Sequence, residues 1–548
     1  MLNKHLSEEE LHASLANFLE SYNFLFSQLE PDRDVSIFRD KSVLARLHHS
    51  LNLEKYQQKT FRSKLLLGAS DEGIVEFAKC RNMRYDTLEE TRKEAFRERL
   101  ASFQWGDNDD TRNFVRIFGY EEWMIPIEKP TIRPREDVIP PSSPFKQLKD
   151  YQSKMVFKTL TQVKIPNARF LIHMPTGSGK TRVAMEVISH FLNEKDNRQV
   201  IWLADKRELC EQAMDAFLNV WSHLGRRMIR IYRVWGHTDI PRKFDGPTFV
   251  VAMYQKIRNE LDNRPELKVD LIVPDEAHST IAPTYLDVIQ KLIDRPNKQT
   301  RIMGLTATHG RGSSGMADSD QLARFFYSKV IDVLDDDADD DIGTIEYLQK
   351  KHVLARCRRE QLDTDISYTL TKEEWDALHQ SFEHDFPDDL LKKIANDNKR
   401  NLLIIRKLLK MAKTYKHVIV FCGSVNQSKL LSSFMTLNGE ASAYIDGNSP
   451  EEYRRDVVEK FKAGTIKFLF NYRVFAAGFD SPNIDAVVIT IPTKSVVLYG
   501  QMIGRGMRGT LMGGTHQFTL VDVVDDIITE GGGLDNVYDY FSDYWDNT

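Results

Sequence analysis

Two successive series of short apolar runs, each separated from the next by a stretch of helical periodicity, constrain this chain most. The first holds RFLIHM, QVIWLA, TFVVAM, VDLIVPD and TRIMGLTA; the second holds HVIVFCGS, ASAYID, IKFLFN, DAVVITIP and QFTLVDVV. Runs this short, rich in β-branched residues and lacking a polar face, fit strands buried on both sides. Strands joined through helices must run parallel, because a parallel pair needs a long crossover. The expected fold class is therefore α/β, with two tandem parallel-sheet domains one behind the other. The 548 residues allow three or four domains.

The stretch before these series has a different pattern. SEEELHASLANFLESYNFLFSQL, DEGIVEFAKC and TLEETRKEAFRERLASFQW carry apolar residues at helical spacing, the first behind an acidic opening turn. The proline-rich EKPTIRPREDVIPPSSPF shows no period and reads as a linker. The expected boundaries are a helical N-terminal accessory domain with its linker over 1–140, a first sheet domain over 141–331, and an acidic hinge over 332–349. A second domain over 350–525 and an acidic, aromatic tail over 526–548 complete the chain. The run DVLDDDADDD in the hinge reads as a solvated loop and not as a metal site.

Composition narrows the function classes. With 41% hydrophobic and 28% charged residues and no apolar run of membrane-spanning length, the chain reads as soluble and globular. Its polar start, MLNKHLSEEELHASL, is unlike a signal peptide, so the expected location is cytoplasmic, with no membrane partner. Cys80, Cys210, Cys357 and Cys422 lie far apart with no C-x-x-C pair, against a disulfide framework, a zinc ribbon or an iron–sulfur cluster. A net charge of −5 excludes a general polyanion binder, so a nucleic-acid partner would need a local basic groove.

The stretch LIHMPTGSGKT resembles the phosphate-binding pattern G-x-x-x-x-G-K-[ST] with Met174 in place of the first glycine. A strand precedes the loop Pro175, Thr176, Gly177, Ser178, Gly179, and a helix pattern opens at Lys180 and Thr181, which is the context the motif requires. Backbone amides of Gly177, Ser178 and Gly179, with the helix N-terminus behind them, would cradle phosphate oxygens. Lys180 would reach the β- and γ-phosphates, and the Thr181 hydroxyl would ligate Mg2+. VDLIVPDEAHST supplies two acids at a strand end: Asp275 for the Mg2+ shell and Glu276 to orient and deprotonate a water.

PTGSGKT, DEAH, GLTATHGR and QMIGRGMRG occur in that order, and together they resemble superfamily 2 helicases and translocases over roughly residues 145–525. GLTATHGR and GFDSPNIDAVVITIPTKSVVLYGQMIGRGMRG look closest to the DNA-repair and restriction-type branch, including RadD-like proteins. The resemblance implies two RecA-like domains with Mg-ATP between them and nucleic acid, DNA before RNA, across their tops. It implies a role in DNA repair, restriction or anti-phage defence. Gln152 in LKDYQ resembles the glutamine that reads adenine, and Asp480 in AAGFDSP one that contacts the ribose or an arginine finger. Arg505 and Arg508, three apart, would share a helix face and enter the γ-phosphate site, Arg508 being the preferred finger. Gln501, Thr306, Thr308 and His278 would couple that site to the nucleic-acid face.

By the same resemblance Lys206, Arg207, Tyr254, Gln255, Ser424 and Asn471 are candidate nucleic-acid contacts, through hydroxyls, amides and a few cations that bind phosphates without reading sequence. Arg81, Arg84, Arg92, Lys93, Arg97 and Arg99 give the N-terminal helices a basic character. That suits a DNA-binding module, a solvated face or a domain docking a protein partner; the acidic tail is a second candidate docking segment. Two competing classes stay open: an RNA helicase, and an ATP-dependent switch subunit that recruits an effector.

Overall fold

All ten apolar runs become parallel strands in a computed structural model of the chain. It describes residues 8–29, 41–126 apart from 86, 87 and 121, 136–138, and 532–533. It also describes 147–529 apart from 237, 243, 266, 296–298, 308–315, 335–342, 372–385, 475–480 and 482. Fifteen strands are described in two sheets. The first contains β1 (Glu136–Val138), β2 (Arg169–His173), β3 (Gln199–Ala204), β4 (Arg230–Val234), β5 (Thr248–Met253), β6 (Leu271–Pro274), β7 (Arg301–Thr306) and β8 (Val330–Ile331). Their order is β1-β4-β5-β3-β6-β7-β2-β8, parallel except for β1. The second contains β9 (Arg356–Thr369), β10 (Val418–Phe421), β11 (Ser442–Ile445), β12 (Phe468–Asn471), β13 (Ala486–Ile489), β14 (Gln517–Thr529) and β15 (Gly532–Gly533). There β11-β12-β10-β13-β14 run parallel, and β9 lies parallel to β14 over most of its length.

Beyond the ten expected runs, β4, β8 and β15 add short strands, and three elements depart in a more telling way. The linker is not wholly unstructured: Glu136–Val138 adds an antiparallel edge strand, Glu136 facing Tyr232. Backbone pairing needs no apolar side chain, so EDV gave no strand signal. β9, RCRREQLDTDISYT, alternates exposed and covered residues and never forms an apolar run. It pairs on one edge only, and its charged face meets solvent. β14 runs on to Thr529, past the expected start of the tail at 526. Residues 335–342 of the acidic hinge and 534–548 of the tail lie outside the described residues.

The N-terminal region is helical, as expected. Asn108 caps the helix Asp109–Phe118 by accepting the Thr111 amide at 2.9 Å, and Gly119 ends it at φ +68°, where a glycine bears no steric cost. These helices dock on the second sheet domain. Tyr22 meets Ser433, Phe26 packs on Phe434 with ring centroids 4.7 Å apart, and the Tyr444 hydroxyl donates to the Leu51 carbonyl at 3.0 Å. The surface they cover is the helices Asn398–Met411 and Val425–Leu437, with the Tyr444 side chain of β11 reaching them. No described helix is long and apolar enough to cross a membrane.

Candidate nucleotide and nucleic-acid site

β2, β6 and β7 carry the phosphate loop, DEAH and GLTAT at their carboxyl ends, where open parallel sheets bind ligands. Met174 is fully buried and its amide donates to the Thr306 carbonyl at 3.1 Å, so it acts as the last residue of the strand ladder. The turn begins after it. Pro175 closes the loop by accepting the Ser178 hydroxyl at 2.7 Å and the Ser178 amide at 3.2 Å. Gly177 and Gly179 stand at φ +85° and +86°, which side-chain-bearing residues rarely adopt. Gly179 caps the helix Lys180–Asn193, whose first turn holds Lys180 and Thr181. Tyr151 fixes the loop from behind, its hydroxyl donating to the Ser178 carbonyl at 2.5 Å.

Lys180 Nζ lies 3.4 Å from Glu276 Oε1 and 3.9 Å from Asp275 Oδ1. Asp275 is anchored through its amide to the Leu203 carbonyl at 2.9 Å, and its Oδ1 accepts the Glu276 amide at 3.0 Å. Glu276 adopts φ +47°, a costly conformation for a non-glycine residue and one that clusters at functional sites. His278 Nδ1 stands 3.5 Å from Glu276 Oε2. Burial pushes the Asp275 carboxyl above the usual range, with Lys180 opposing. Burial pushes Glu276 the same way, but Lys180, His278 and Arg505 outweigh it and hold it ionised. Those cations offset the burial of Glu276, while Asp275 is the acid that burial leaves short of positive charge. The donor set fits Mg2+, which takes a carboxylate, a hydroxyl and phosphate oxygens in place of an all-protein cage. Among the described residues no group of three or more His, Cys, Asp or Glu side chains would hold a metal alone.

The second domain closes over this loop through a glycine-lined seam. A Cβ on Gly504 would stand 2.6 Å from Thr176 Cβ, and one on Gly177 would stand 3.5 Å from Arg508 Cγ. The two arginines do not share a helix face. Their helix, Val496–Ile503, which carries Gln501, ends before them. The flanking glycines end it: Gly506 is pressed against the Phe518 ring and Gly509 against the His352 carbonyl, close approaches that bend the backbone away. Arg505 folds back, its Nε donating to the Gln501 carbonyl at 3.1 Å, while Arg508 pairs in an isolated bridge with Leu354.

Other expected residues fall into place unevenly. Gln152 is buried; its Oε1 accepts the Lys149 amide at 3.1 Å and its Nε2 donates to the Ser178 carbonyl at 3.4 Å, tying it to the loop. Thr306 is buried at the end of β7, while Thr308 and Asp480 lie outside the described residues. Met512 escaped the sequence reading. Its Sδ is 3.9 Å from the Tyr151 hydroxyl, and its Cε is 3.3 Å from where a Cβ on Gly179 would stand. Two apolar residues, Leu511 and Met512, in the glycine-rich turn GTLMGG were the available signal.

Among the candidate nucleic-acid contacts, Gln255 is exposed and Lys206 is half-buried. Arg207 pairs with Glu211 at 3.0 Å and, across the two domains, with Glu451 at 2.9 Å. Tyr254 is buried and stacks on Tyr285 at 4.1 Å. The Ser424 hydroxyl caps its own helix by accepting the Gln427 amide at 3.0 Å. Asn471 is fully buried and donates to the Val420 carbonyl at 3.1 Å. In the N-terminal helices Arg97 donates to the carbonyls of Leu66, Leu67 and Ala69, and Arg81 and Lys93 pair with acids. That leaves Arg84, Arg92 and Arg99 as that set's solvent-exposed cations.

Two family models match. Type III restriction enzyme, res subunit, matches residues 145–311, and Helicase conserved C-terminal domain matches 399–510. Putative ATP-dependent helicase IRC3 of Saccharomyces cerevisiae is 24% identical over 370 residues, covering 66% of this chain and 49% of the yeast protein. The Type I restriction enzyme EcoAI endonuclease subunit of Escherichia coli is 23% identical, over 68% of this chain and 45% of its own length. ATP-dependent RNA helicase DBP3 of Meyerozyma guilliermondii is 24% identical, over 62% of this chain and 56% of its own. The match to the yeast IRC3 and the bacterial subunit thus spans about half the length of each.

Proposed function

Because the chain belongs to superfamily 2, with that superfamily's two catalytic domains in order, we propose that it is a nucleic-acid-dependent ATPase that translocates on or unwinds DNA. One observation carries the proposal. Lys180, Asp275 and Glu276 converge on one side of a seam whose other side brings Arg505 and Arg508.

In this reading the loop amides and Lys180 bind the phosphates, and Thr181 and Asp275 hold Mg2+. Mg-ATP supplies the γ-phosphoryl group and the free energy of its transfer to water. Glu276, kept ionised by its three cationic neighbours, accepts the proton of the attacking water and fixes its direction. Arg508 places positive charge where the transferred group gains negative charge, a contribution of about 10³–10⁵ in rate. Arg505 supports Glu276. Gln152 braces the loop and reads the base. Since the arginines come from the second domain, hydrolysis requires closure, and closure moves one half of the nucleic-acid path against the other. Opening one base-pair step costs about 1.4 kcal/mol on average, a load within reach of one ATP.

Likeness to restriction subunits favours DNA; likeness to an RNA helicase keeps RNA as the second reading. Steady-state hydrolysis without nucleic acid and with single-stranded DNA, forked DNA or RNA separates them, with Lys180→Ala and Glu276→Gln as controls. Strong stimulation by DNA, lost in both variants, is expected. Stimulation by RNA alone would transfer the proposal to RNA. Hydrolysis indifferent to every nucleic acid would defeat the motor and leave a switch that acts through a partner.

A further inference from the structure

A cavity of about 190 Å3 opens beside the arginine turn. Lys350, His352, Arg356 and His516 line it, together with Thr510 and Thr515, and no carboxylate does. Among the described residues, the acid paired with these bases is Glu346, which holds Lys350 at 2.7 Å from one helical turn away. The Thr515 hydroxyl oxygen is buried and has no hydrogen-bond partner, one of several such side-chain atoms among the described residues. His352 stands at φ +56°, strain of the kind found where a site is built. Its ring and that of His516 lie 5.9 Å apart. The cavity is rigidly framed: the Arg356 amide donates to the His516 carbonyl at 3.0 Å and the Leu511 amide to the His352 carbonyl at 2.9 Å.

We propose that this cavity is a second phosphate-group site, distinct from the nucleotide cleft. Its ligand is a phosphate-bearing anion: a phosphodiester of a bound strand or a free polyphosphate. The donor set matches that chemistry. A guanidinium presents a fork to two phosphate oxygens, and an ammonium and two imidazoles add donors. An apolar ligand would find only Leu354, and a cation would find like charge. The site is wired to the cleft, because the Thr515 amide donates to the Arg508 carbonyl at 3.0 Å. An anion seated here stiffens the segment that carries Arg508. That coupling rests on the function proposed above, whereas the binding does not.

The test uses the full chain with Lys180→Ala, so that the nucleotide loop contributes little to phosphate binding. Pyrophosphate is titrated by calorimetry and a labelled oligothymidylate by fluorescence anisotropy, with and without Arg356→Gln plus His516→Gln. Arg356 and His516 are exposed, and Arg356→Gln alone repeats the comparison should the double change perturb folding. The expected result is a loss of about tenfold or more in affinity, typical of removing hydrogen bonds to a charged group. A loss with pyrophosphate alone identifies a free anion as the occupant. A loss with the oligonucleotide, with a shallower salt dependence, identifies a strand phosphate. Affinities for both probes unchanged within about twofold in the variants would overturn the site. Because no arm measures hydrolysis, this result is independent of whether the chain is a motor.

Discussion

Gly504 is the position at which one methyl group separates closing from folding. A Cβ there would lie 2.6 Å from Thr176 Cβ and 3.0 Å from its own helix's Gly500 carbonyl. Gly504 itself has ordinary helical dihedrals, φ −54° and ψ −17°, so alanine carries no backbone strain. The clash is therefore with the other domain. Restoring an ordinary contact near 3.5 Å needs the seam to open by about 1 Å, and a misplacement of that size costs about 10²-fold in rate, or roughly 2.7 kcal/mol of barrier. Gly504→Ala should thus lower kcat about a hundredfold, while ATP affinity and melting temperature stay near wild type. Gly506→Ala is the counterpart: its Cβ would press into the Phe518 ring of the same domain, so it should lower the melting temperature. Nucleotide-stimulated hydrolysis and thermal unfolding of the two variants, measured side by side, decide the matter. If Gly504→Ala turns over within about twofold of wild type, the seating of the arginine turn on the phosphate loop is not what catalysis uses.

Three further outcomes follow from the packing. Arg400 and Asp525 are 0% and 1% exposed with Nε–Oδ1 at 2.9 Å, so Arg400→Met leaves a buried carboxylate unpaired. The expected destabilisation is about 3–5 kcal/mol in urea unfolding, substantially recovered in Arg400→Met/Asp525→Leu. Phe26→Ala empties its contact with Phe434, and about 3–5 kcal/mol of packing should be lost. Proteolysis should then release the N-terminal helices faster while basal ATP hydrolysis persists. Burial, with Lys55 beside it, pushes His48 down to about 4, and burial, with His48 beside it, pushes His49 down to about 3. The unfolded chain takes up protons that the folded one refuses. Stability from this pair is therefore complete above about pH 6.5 and falls as pH drops, by on the order of 2–4 kcal/mol at pH 5. His49→Phe should flatten that slope; an equal slope in the variant would mean other groups cause it.

The fold was legible where burial on both faces writes itself as an apolar run, and illegible where it does not. β2 through Met174 announced itself. β9 hid because one of its faces meets water, and β1 hid because its backbone does the pairing. At the site, the residue types at the strand ends were readable from the loop and DEAH spacing. The geometry of Arg505 and Arg508 was not, because it depends on Phe518 and His352, residues distant in sequence that force glycines and end a helix. Tyr254, Ser424 and Asn471 show the same limit: polar residues at strand ends serve the backbone as readily as a ligand, and sequence position alone does not separate the two uses. Thr308 and Asp480 lie outside the described residues.

The docking of the N-terminal helices gives the closing seam a longer reach. Tyr22, Phe26 and Leu51 tie them to the second domain, so any rotation of that domain carries them as an outrigger. A point on their outer surface sweeps a wider arc than the arginine turn at the pivot. Displacements too small to matter at the cleft thus become strides at the periphery, and whatever is held there by Arg84, Arg92 or Arg99 would be hauled with each cycle.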